Sequence, residues 1–365
     1  MPADGRSLLF ALEHQGARLL SALPAAAQRW LAGQRAGVRV DGLDLAPEMQ
    51  LILALRKRLR PPLSTLSPGQ ARRQLRREAL VHGGVPIAVA AVRDLEIDGP
   101  ARRLAVRHYA PEGGQGAPLC VYFHGGGFVV CDLDTHDPVC RFLCRHAGVH
   151  VLAVDYRLAP EEPFPAAVED ALCAFRWAAA HAAELGADAT RVAVAGDSAG
   201  GNLAAVVSQL ARLEGEGGAQ PALQLLLYPT VDRTEAWGSL DLFHEGFFLT
   251  RADIDWYQEQ YTGTVGADLR DPRVSPRLRP DLGGLPPALV VTAGFDPLRD
   301  EGEAYARALG DAGVPVLLRR FDGLVHGFAN MVAISPASGA AMFEIAASLR
   351  TALAMTRGAS RQSMP

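Results

Sequence analysis

Cysteine is scarce in this chain, and its spacing argues against two classes of protein. The 365 residues contain five cysteines, which are Cys120, Cys131, Cys140, Cys144 and Cys173. An odd number without a matching set of Cys or His ligands fits neither a disulfide scaffold nor a zinc site. We therefore expect free thiols, no metal, no cofactor and a reducing, cytoplasmic location.

Two further absences limit the partners. The formal net charge is −4, so the basic excess expected of a nucleic-acid-binding protein is missing. No apolar run approaches the roughly 20 residues of a membrane span. The apolar stretch 7–12 ends at Glu13 and is too short for an export signal. We expect a small-molecule substrate, no nucleic acid and no membrane span.

What the chain does contain is a serine between glycines at the end of an apolar run. Residues 192–195 (Val-Ala-Val-Ala) precede residues 196–200 (Gly-Asp-Ser-Ala-Gly), and a helix-like run follows. A strand, a sharp turn and a helix with Ser198 at the apex fit the Gly-x-Ser-x-Gly nucleophile elbow. Glycine is needed on both sides because side chains there would collide. An ordinary Gly-Ser turn is the alternative.

A second glycine-rich segment also follows an apolar run. Residues 119–123 lead into residues 124–128 (His-Gly-Gly-Gly-Phe). The segment lacks the Gly-Lys-Ser/Thr of a phosphate loop and the Gly-x-Gly-x-x-Gly spacing of a dinucleotide site. Bare glycines let backbone N–H groups come close to a developing oxyanion. Loops of this kind accompany the elbow in lipases and esterases.

A serine nucleophile needs a base. In chains with such an elbow the base follows the serine, and only His244 and His326 do so here. His326 comes just after the strand-like run 314–320, whereas His244 lies in a polar, irregular stretch. The sequence therefore favours His326.

The base in turn needs an acid to orient it. Asp296 directly follows the buried-strand pattern of residues 288–294, at the end where open α/β sheets place their sites. Asp300 falls one helical turn later, and Asp322 shares a loop with the histidine. Asp296 is favoured over these two alternatives.

These motifs resemble those of the hormone-sensitive-lipase family of α/β-hydrolases, the microbial family IV carboxylesterases. The resemblance runs from about residue 45 to 355, and Asp197 is typical of the Gly-Asp-Ser-Ala-Gly branch. It rests on residues 124–128, 155–161, 196–202, 296–302 and 326–328. The main departure is an N-terminus some 40 residues longer than the pattern requires.

The resemblance implies a role for each candidate residue. Ser198 would be the nucleophile, Asp296 the acid and His326 the base. The implied oxyanion donors are the backbone N–H groups of Gly126, Gly127 and Ala199, with Gly125 as an alternative loop member. His124 would hold the loop in shape without taking part in the chemistry. The carboxylates Asp155 and Glu161 are expected to fix the neighbouring loop rather than to act as a second acid.

The distribution of apolar runs predicts the fold class. Strand-like runs at 119–123, 150–154, 192–196, 222–228, 288–293 and 314–320 alternate with helical ones, and an antiparallel pair at 87–97 and 101–109 precedes them. This alternation is typical of an α/β protein. We expect an α/β-hydrolase fold: a mostly parallel, eight-stranded sheet with helices on both faces and a helical cap.

The pattern also predicts a division of the chain. Residues 86–231 and 274–357 would form the catalytic core, residues 1–85 and the insertion 232–273 a cap, and residues 358–365 a flexible tail. The resemblance implies that the cap covers the site. Among its aromatics and those of the loop, Phe128, Phe243 and Phe248 are expected to line the substrate pocket.

The function predicted is that of a serine carboxylesterase. It would hydrolyse short- to medium-chain acyl esters through an acyl-enzyme intermediate. An amidase or deacetylase using the same residues, or a relative that only binds a small ligand, are the alternatives. The resemblance implies homodimers as often as monomers.

Overall fold

The sheet at the centre of the molecule contains eight strands. The computed structural model of the chain describes residues 5–34 and 36–362, with the side chains of residues 5–12, 216 and 357–362 left aside. The strands are β1 (Ala91–Asp98), β2 (Arg103–Ala110), β3 (Ala117–Phe123), β4 (His150–Val154), β5 (Ala187–Asp197), β6 (Gln224–Leu227), β7 (Ala288–Phe295) and β8 (Val316–Val325).

The strand order is β8-β7-β6-β5-β3-β4-β2-β1. Strands β3 to β8 pair in parallel, while β2 is antiparallel to both β1 and β4. The α/β fold with a mostly parallel eight-stranded sheet is thus confirmed. The chain adds β4 on one side of β3 and then β5 on the other side, so the direction of strand addition reverses there. Loops that leave neighbouring strands in opposite directions at such a point open a crevice at the carboxyl ends of the strands.

Alternation along β5 explains why the sheet is covered on both faces. Val192 and Val194 pack in one hydrophobic core, whereas Ala193 and Ala195 pack in the other. Successive strand side chains point to opposite faces, so a run that is apolar at every position needs cover on both. Helices α6 and α7 contribute to the first core and α5 and α11 to the second.

Eleven α-helices flank or cover the sheet in the described part of the chain. They are α1 (Gly5–Ser21), α2 (Ala25–Leu31), α3 (Pro47–Leu59), α4 (Pro68–Gly83), α5 (Asp137–Leu143), α6 (Ala166–His181), α7 (Ala199–Leu213), α8 (Gly238–Leu242), α9 (Arg251–Tyr261), α10 (Arg299–Asp311) and α11 (Pro336–Gln362). Helix α11 continues to Gln362, into the segment expected to be a flexible tail. Residues 1–4 and 363–365 lie outside the described residues.

Two parts of the chain that are far apart in sequence join above the carboxyl ends of the strands. The Thr250 hydroxyl caps α9 by accepting from the Asp253 backbone N–H at 3.1 Å, and the Asp253 carboxylate accepts from the Ser64 backbone N–H at 3.1 Å. The Arg56 guanidinium of α3 lies 4.5 Å from the ring centroid of Phe248. The segment before β1 and the insertion after β6 therefore form one layer.

In the part of the chain that the structure describes, no helix is both long enough and apolar enough to cross a membrane.

Candidate active site

Ser198 lies at the turn between β5 and α7, in a strained backbone conformation. Its φ is 55° and its ψ is −117°, a region that a residue with a side chain rarely adopts. A Cβ atom at Gly196 would collide with the backbone of Gly200, and one at Gly200 would collide with the Phe123 carbonyl. The two glycines therefore permit a turn that presents the serine hydroxyl above the sheet.

Ser198, His326 and Asp296 form a continuous chain of hydrogen bonds. The Ser198 Oγ lies 2.9 Å from His326 Nε2, and His326 Nδ1 lies 2.8 Å from Asp296 Oδ2. Asp296 is fully buried at the end of β7, and its second oxygen accepts from the Leu298 N–H at 2.8 Å. This arrangement can move a proton from the hydroxyl to the imidazole and hold the resulting cation beside a carboxylate.

The structure separates the alternative candidates from this chain. Asp300 accepts from the Ser239 N–H at 2.8 Å, and Asp322 is exposed on β8. His244 is exposed and its Nδ1 lies 2.7 Å from the Asp241 carbonyl. None of these three side chains has a hydrogen bond to Ser198 or His326 among the described residues.

The glycine loop places backbone donors beside the serine. The N–H groups of Gly126, Gly127 and Ala199 have no hydrogen-bond partner within the described chain, and Gly126 and Gly127 line the same cavity as Ser198. Gly127 has a φ of 59°, and a Cβ there would collide with the Tyr257 ring. Donors that face a cavity next to a nucleophile can stabilise an oxyanion.

The structure corrects the expectation that Gly125, the alternative loop member, could be an oxyanion donor. Its N–H donates to Asp197 Oδ1 at 2.9 Å, so it is not available to a substrate. A Cβ at this position would collide with the same carboxylate. The loop and the elbow therefore contact each other directly behind the candidate oxyanion donors.

His124 lies beneath this loop. Its ring stacks on Tyr156 with centroids 4.3 Å apart, and its Nδ1 lies 2.7 Å from the Gly125 carbonyl. Burial lowers the pKa of His124 to about 4. A neutral ring packed in this way can hold the shape of the loop.

Asp197 organises a polar cluster that the sequence did not reveal. It accepts from the Tyr122 hydroxyl at 2.8 Å as well as from Gly125, and its Oδ1 lies 3.2 Å from His136 Nε2. Burial acts to raise the pKa of Asp197, but the His136 imidazole and the Tyr122 hydroxyl lower it overall. The only sequence signal was an aspartate directly before the serine.

One arginine of helix α4 holds the segments that follow the glycine loop and strand β4. Arg72 donates to the Val129 carbonyl at 2.8 Å and to the Ala159 carbonyl at 2.9 Å, and it pairs with Glu161 at 2.6 Å. Glu161 thus helps to fix the loop, which is the role expected for it. Burial raises the pKa of Asp155, and within the described residues this side chain makes no hydrogen bond to Ser198, His326 or Asp296.

A cavity opens between the sheet and the helical layer above it. Ser198 and His326 lie on its floor, and its walls are mostly apolar, with contributions from Leu63, Leu75, Phe128, Phe248, Leu249, Ile254 and Tyr257. A mostly apolar cavity with a few polar groups on one side is the usual form of a small-molecule site.

Phe243 does not line this cavity, contrary to the expectation for it. Its side chain is fully buried and packs against Phe247 and Phe295, with centroids 5.3 and 5.5 Å apart. The Arg299 guanidinium covers the same ring at 5.3 Å. Its position in the sequence puts Phe243 in the insertion, but only the folded structure shows that this part of the insertion packs on the end of β7. Phe128 and Phe248 do line the cavity.

A strained serine at a strand-to-helix turn, a histidine and a buried aspartate on an eight-stranded sheet define the class of the α/β-hydrolases. A family model described as the alpha/beta hydrolase fold matches residues 120–330.

Comparison with individual proteins narrows the class. The chain is 48% identical to the carboxylic ester hydrolase LipN of Mycobacterium tuberculosis over 343 residues, 93% of this chain and 91% of that protein. It is 41% identical to an ethyl acetate hydrolase of Pseudomonas putida, over 80% of this chain and 92% of that protein.

Solved structures agree with these sequence relatives. The metagenomic carboxylesterase EstE1 superposes with a TM-score of 0.75 at 44% identity, covering 79% of this chain and 98% of that one. An ester hydrolase from the metagenome of Lake Arreo superposes with a TM-score of 0.79 at 41% identity, covering 84% and 98%. The chain therefore belongs to the α/β-hydrolase family, in its hormone-sensitive-lipase-like branch.

Proposed function

We propose that the chain is a carboxylesterase that cleaves small esters through an acyl-enzyme formed on Ser198. The observation that carries the proposal is the hydrogen-bonded series from Ser198 Oγ through His326 to buried Asp296, at 2.9 and 2.8 Å. The names of the relatives, an ester hydrolase and an ethyl acetate hydrolase among them, support the same reaction.

The first half-reaction follows from the geometry. His326 Nε2 takes the hydroxyl proton as Ser198 Oγ attacks the ester carbonyl, and Asp296 stabilises the imidazolium that forms. The carbonyl oxygen becomes an anion, which the N–H groups of Gly126, Gly127 and Ala199 stabilise. The C–O bond then breaks, and the alcohol leaves with the proton that the imidazolium returns.

The second half-reaction repeats the first with water. His326 takes a proton from a water molecule that attacks the acyl-enzyme, and the same backbone donors stabilise the second tetrahedral anion. Collapse of that anion releases the carboxylic acid and returns the proton to Ser198. One ester and one water thus give one acid and one alcohol.

The test is the Ser198→Ala variant assayed with p-nitrophenyl butyrate. Without the nucleophile, kcat should fall by about 10⁶-fold, because serine, histidine and aspartate act as a unit. The circular dichroism spectrum and melting temperature should stay close to those of the wild type. A variant that folds and retains activity within tenfold of the wild type would remove the serine from the mechanism.

The proposal also covers the acyl chain length of the substrate and the cellular location of the enzyme. The mostly apolar lining of the cavity supports acyl chains of short to medium length. All five cysteines are free thiols and three of them are buried, which supports a reducing, cytoplasmic location. Whether the enzyme acts as a monomer or a homodimer is answered by light scattering at assay concentrations.

A further inference from the structure

The positive charge of the chain is concentrated in its N-terminal segment. Residues 1–85 contain 13 arginine or lysine residues and six aspartate or glutamate residues, a net charge of +7, although the whole chain carries −4. Two stretches of this segment, 14–40 and 49–77, contain no acidic residue. An asymmetry of this kind within one chain is typical of a segment that meets an anionic surface.

Part of this charge is used inside the molecule. Three arginines of helix α4 pair with acidic side chains, and these pairs are Arg72–Glu161, Arg76–Asp132, Arg76–Asp134 and Arg77–Glu13. Three arginines of helices α1, α2 and α3 differ from them. Among the described residues, Arg18, Arg29 and Arg58 have no ion pair, and the Arg58 guanidinium donates only to backbone carbonyls.

Each of these three unpaired arginines is followed in the sequence by a large apolar residue that is exposed. Leu19 is 68% exposed, Trp30 is 76% exposed and Leu59 is 68% exposed. Each of these side chains leaves apolar surface in contact with water, which is unfavourable. The cations and the exposed apolar side chains therefore occur as three neighbouring pairs.

Contacts between the helices bring the three pairs together. Gln28 Nε2 donates to the Ser21 carbonyl at 2.6 Å, so α2 begins against the end of α1. Arg58 donates to the Leu31 carbonyl at 3.1 Å and to the Ala32 carbonyl at 3.5 Å, so the ends of α2 and α3 meet. Helix α2 has only seven residues and is therefore roughly 10 Å long. The joined ends of three helices thus carry one set of side chains, which we name the N-terminal patch: Arg18, Leu19, Arg29, Trp30, Arg58 and Leu59.

We propose that the N-terminal patch docks on an anionic lipid surface. Guanidinium groups bind phosphate oxygens strongly, and tryptophan is enriched where a membrane meets water. Leucine side chains beside the cations can enter the boundary between headgroups and acyl chains, as in helices that lie on a membrane without crossing it. The proposal concerns binding and does not depend on the reaction proposed above.

The position of the patch in the helical layer gives such docking a consequence for the cavity. Helix α3 contributes Arg56 to the cavity wall, and Arg58 follows two residues later. Two residues turn an α-helix by about 200°, so the two arginines leave α3 on nearly opposite sides. A docked molecule would hold its cavity directly behind the contact with the lipid, close to esters dissolved there.

Co-sedimentation with lipid vesicles tests the proposal. Wild-type protein should bind vesicles of phosphatidylcholine with about 30% phosphatidylglycerol and should bind pure phosphatidylcholine vesicles far more weakly. The double variant Arg18→Gln/Arg29→Gln should lower the partition coefficient about 10- to 30-fold, and about 0.5 M NaCl should weaken wild-type binding similarly. Trp30→Ala should lower it about tenfold. Arg58 is kept because its hydrogen bonds join α2 to α3.

Matched controls lie on α6 and α7. Arg176→Gln/Arg212→Gln removes two exposed arginines and changes the net charge by the same amount outside the patch. Leu213→Ala removes an apolar side chain that is 65% exposed at the end of α7. Both controls should bind anionic vesicles like the wild type. All variants should keep the wild-type melting temperature and the wild-type activity on a water-soluble ester, because none of the changed residues lines the cavity.

Three results would overturn the docking surface. The first is a lack of wild-type binding to anionic vesicles at low salt, and the second is an equal loss of binding in the patch variants and their controls. The third is equal binding of wild type and Trp30→Ala to the vesicles together with tight binding to soluble polyglutamate. That result would mean that an acidic polypeptide is recognised by charge alone, since only a lipid surface takes up the exposed apolar side chains.

Discussion

At the scale of single residues, the charge of Asp197 maintains the shape of the glycine loop. The carboxylate accepts from Gly125 and Tyr122 and faces His136, all within 3.2 Å. Asp197→Asn keeps the shape and one acceptor oxygen but loses the charge. We expect kcat to fall about tenfold with KM nearly unchanged, since the loop donors act mainly in the transition state.

Steady-state kinetics with p-nitrophenyl butyrate measure this effect, and Asp188→Asn is the matched control. Asp188 lies at the other end of β5 and pairs with Arg191 at 2.7 Å, far along the strand from the loop. A rise in KM with unchanged kcat in Asp197→Asn would mean that the loop serves binding rather than the chemical step.

Glu301 makes stability depend on pH. Burial raises its pKa from 4.5 to about 8, so the folded protein holds a proton that the unfolded chain releases at lower pH. The free energy of unfolding should therefore fall as pH rises from about 4.5 through about 8. Glu301→Gln cannot ionise and should not show this fall, so its advantage over the wild type should grow by about 1 to 3 kcal/mol between pH 5 and 8.5.

Urea unfolding at a series of pH values measures the difference. Gln at this position can still accept from the Val231 N–H, so the variant preserves the contact that holds the turn. The exposed Glu259→Gln serves as control and should follow the wild type. Parallel curves for Glu301→Gln and the wild type would show that Glu301 ionises in the folded protein as it does in the unfolded chain.

Chain order and strand ends were enough to predict which aspartate meets the histidine. Asp296 directly follows a mostly apolar run, and a buried parallel strand of this kind ends at the carboxyl edge of the sheet. The Asp197–His136 contact joins side chains 61 positions apart. Neither His136 nor Gly125 has a local pattern that indicates its partner, so only the folded chain reveals them.

At the scale of elements, the apolar runs predicted each strand of the central sheet but not the short antiparallel pair Arg39–Val40 and Leu43–Asp44. Two strands of the central sheet extend well beyond their predicted ends. β5 begins at Ala187 because its polar start pairs with the beginning of β3 across a register shift. β8 continues to Val325 and carries Asp322, which was expected in a loop, because its last residues pair again with Phe295. Pairing beyond an irregularity depends on the neighbouring strand, which periodicity does not describe.

Asp253, in the capping box at the start of α9, connects the two segments of the helical layer. Asp253 accepts from the Thr250 N–H and hydroxyl at the start of α9, and also from the Ser64 N–H in the N-terminal segment. Asp253→Ala should lower the free energy of unfolding by about 1 to 2 kcal/mol, because a helix cap and a connection between segments are lost together.

Urea denaturation and limited proteolysis within residues 232–273 follow that loss. Asp255→Ala, two residues further along α9, removes an exposed carboxylate that pairs with Arg251. It should change the stability by less than about 0.5 kcal/mol. If the two variants are equally stable, the contact between Asp253 and Ser64 contributes nothing to the joined layer.

At the scale of the whole molecule, the cavity exists because two separate segments close over one edge of the sheet. Residues on α3 and α4 contribute Arg56, Leu75 and Glu78 to its walls, and the insertion contributes Phe248 and Tyr257. The sequence showed that aromatics were concentrated in the insertion. Which of them face the cavity depends on how the insertion is oriented, and that orientation is set by tertiary contacts such as the Arg56–Phe248 stacking.

Phe248 and Phe243 therefore form a natural pair for the final prediction. Phe248 lines the cavity, whereas Phe243 is buried behind it against Phe295. Wild-type activity on p-nitrophenyl esters from C2 to C16 should peak between C4 and C8. Phe248→Ala lengthens the cavity, so kcat/KM for C10 relative to C4 should rise about tenfold, as expected for two more buried methylene groups.

Phe243→Leu should lower the melting temperature but leave the chain-length profile unchanged, because it loses core packing rather than cavity wall. Equal shifts of the profile in both variants would place Phe243 at the cavity after all, and an unchanged profile in Phe248→Ala would place the acyl chain elsewhere.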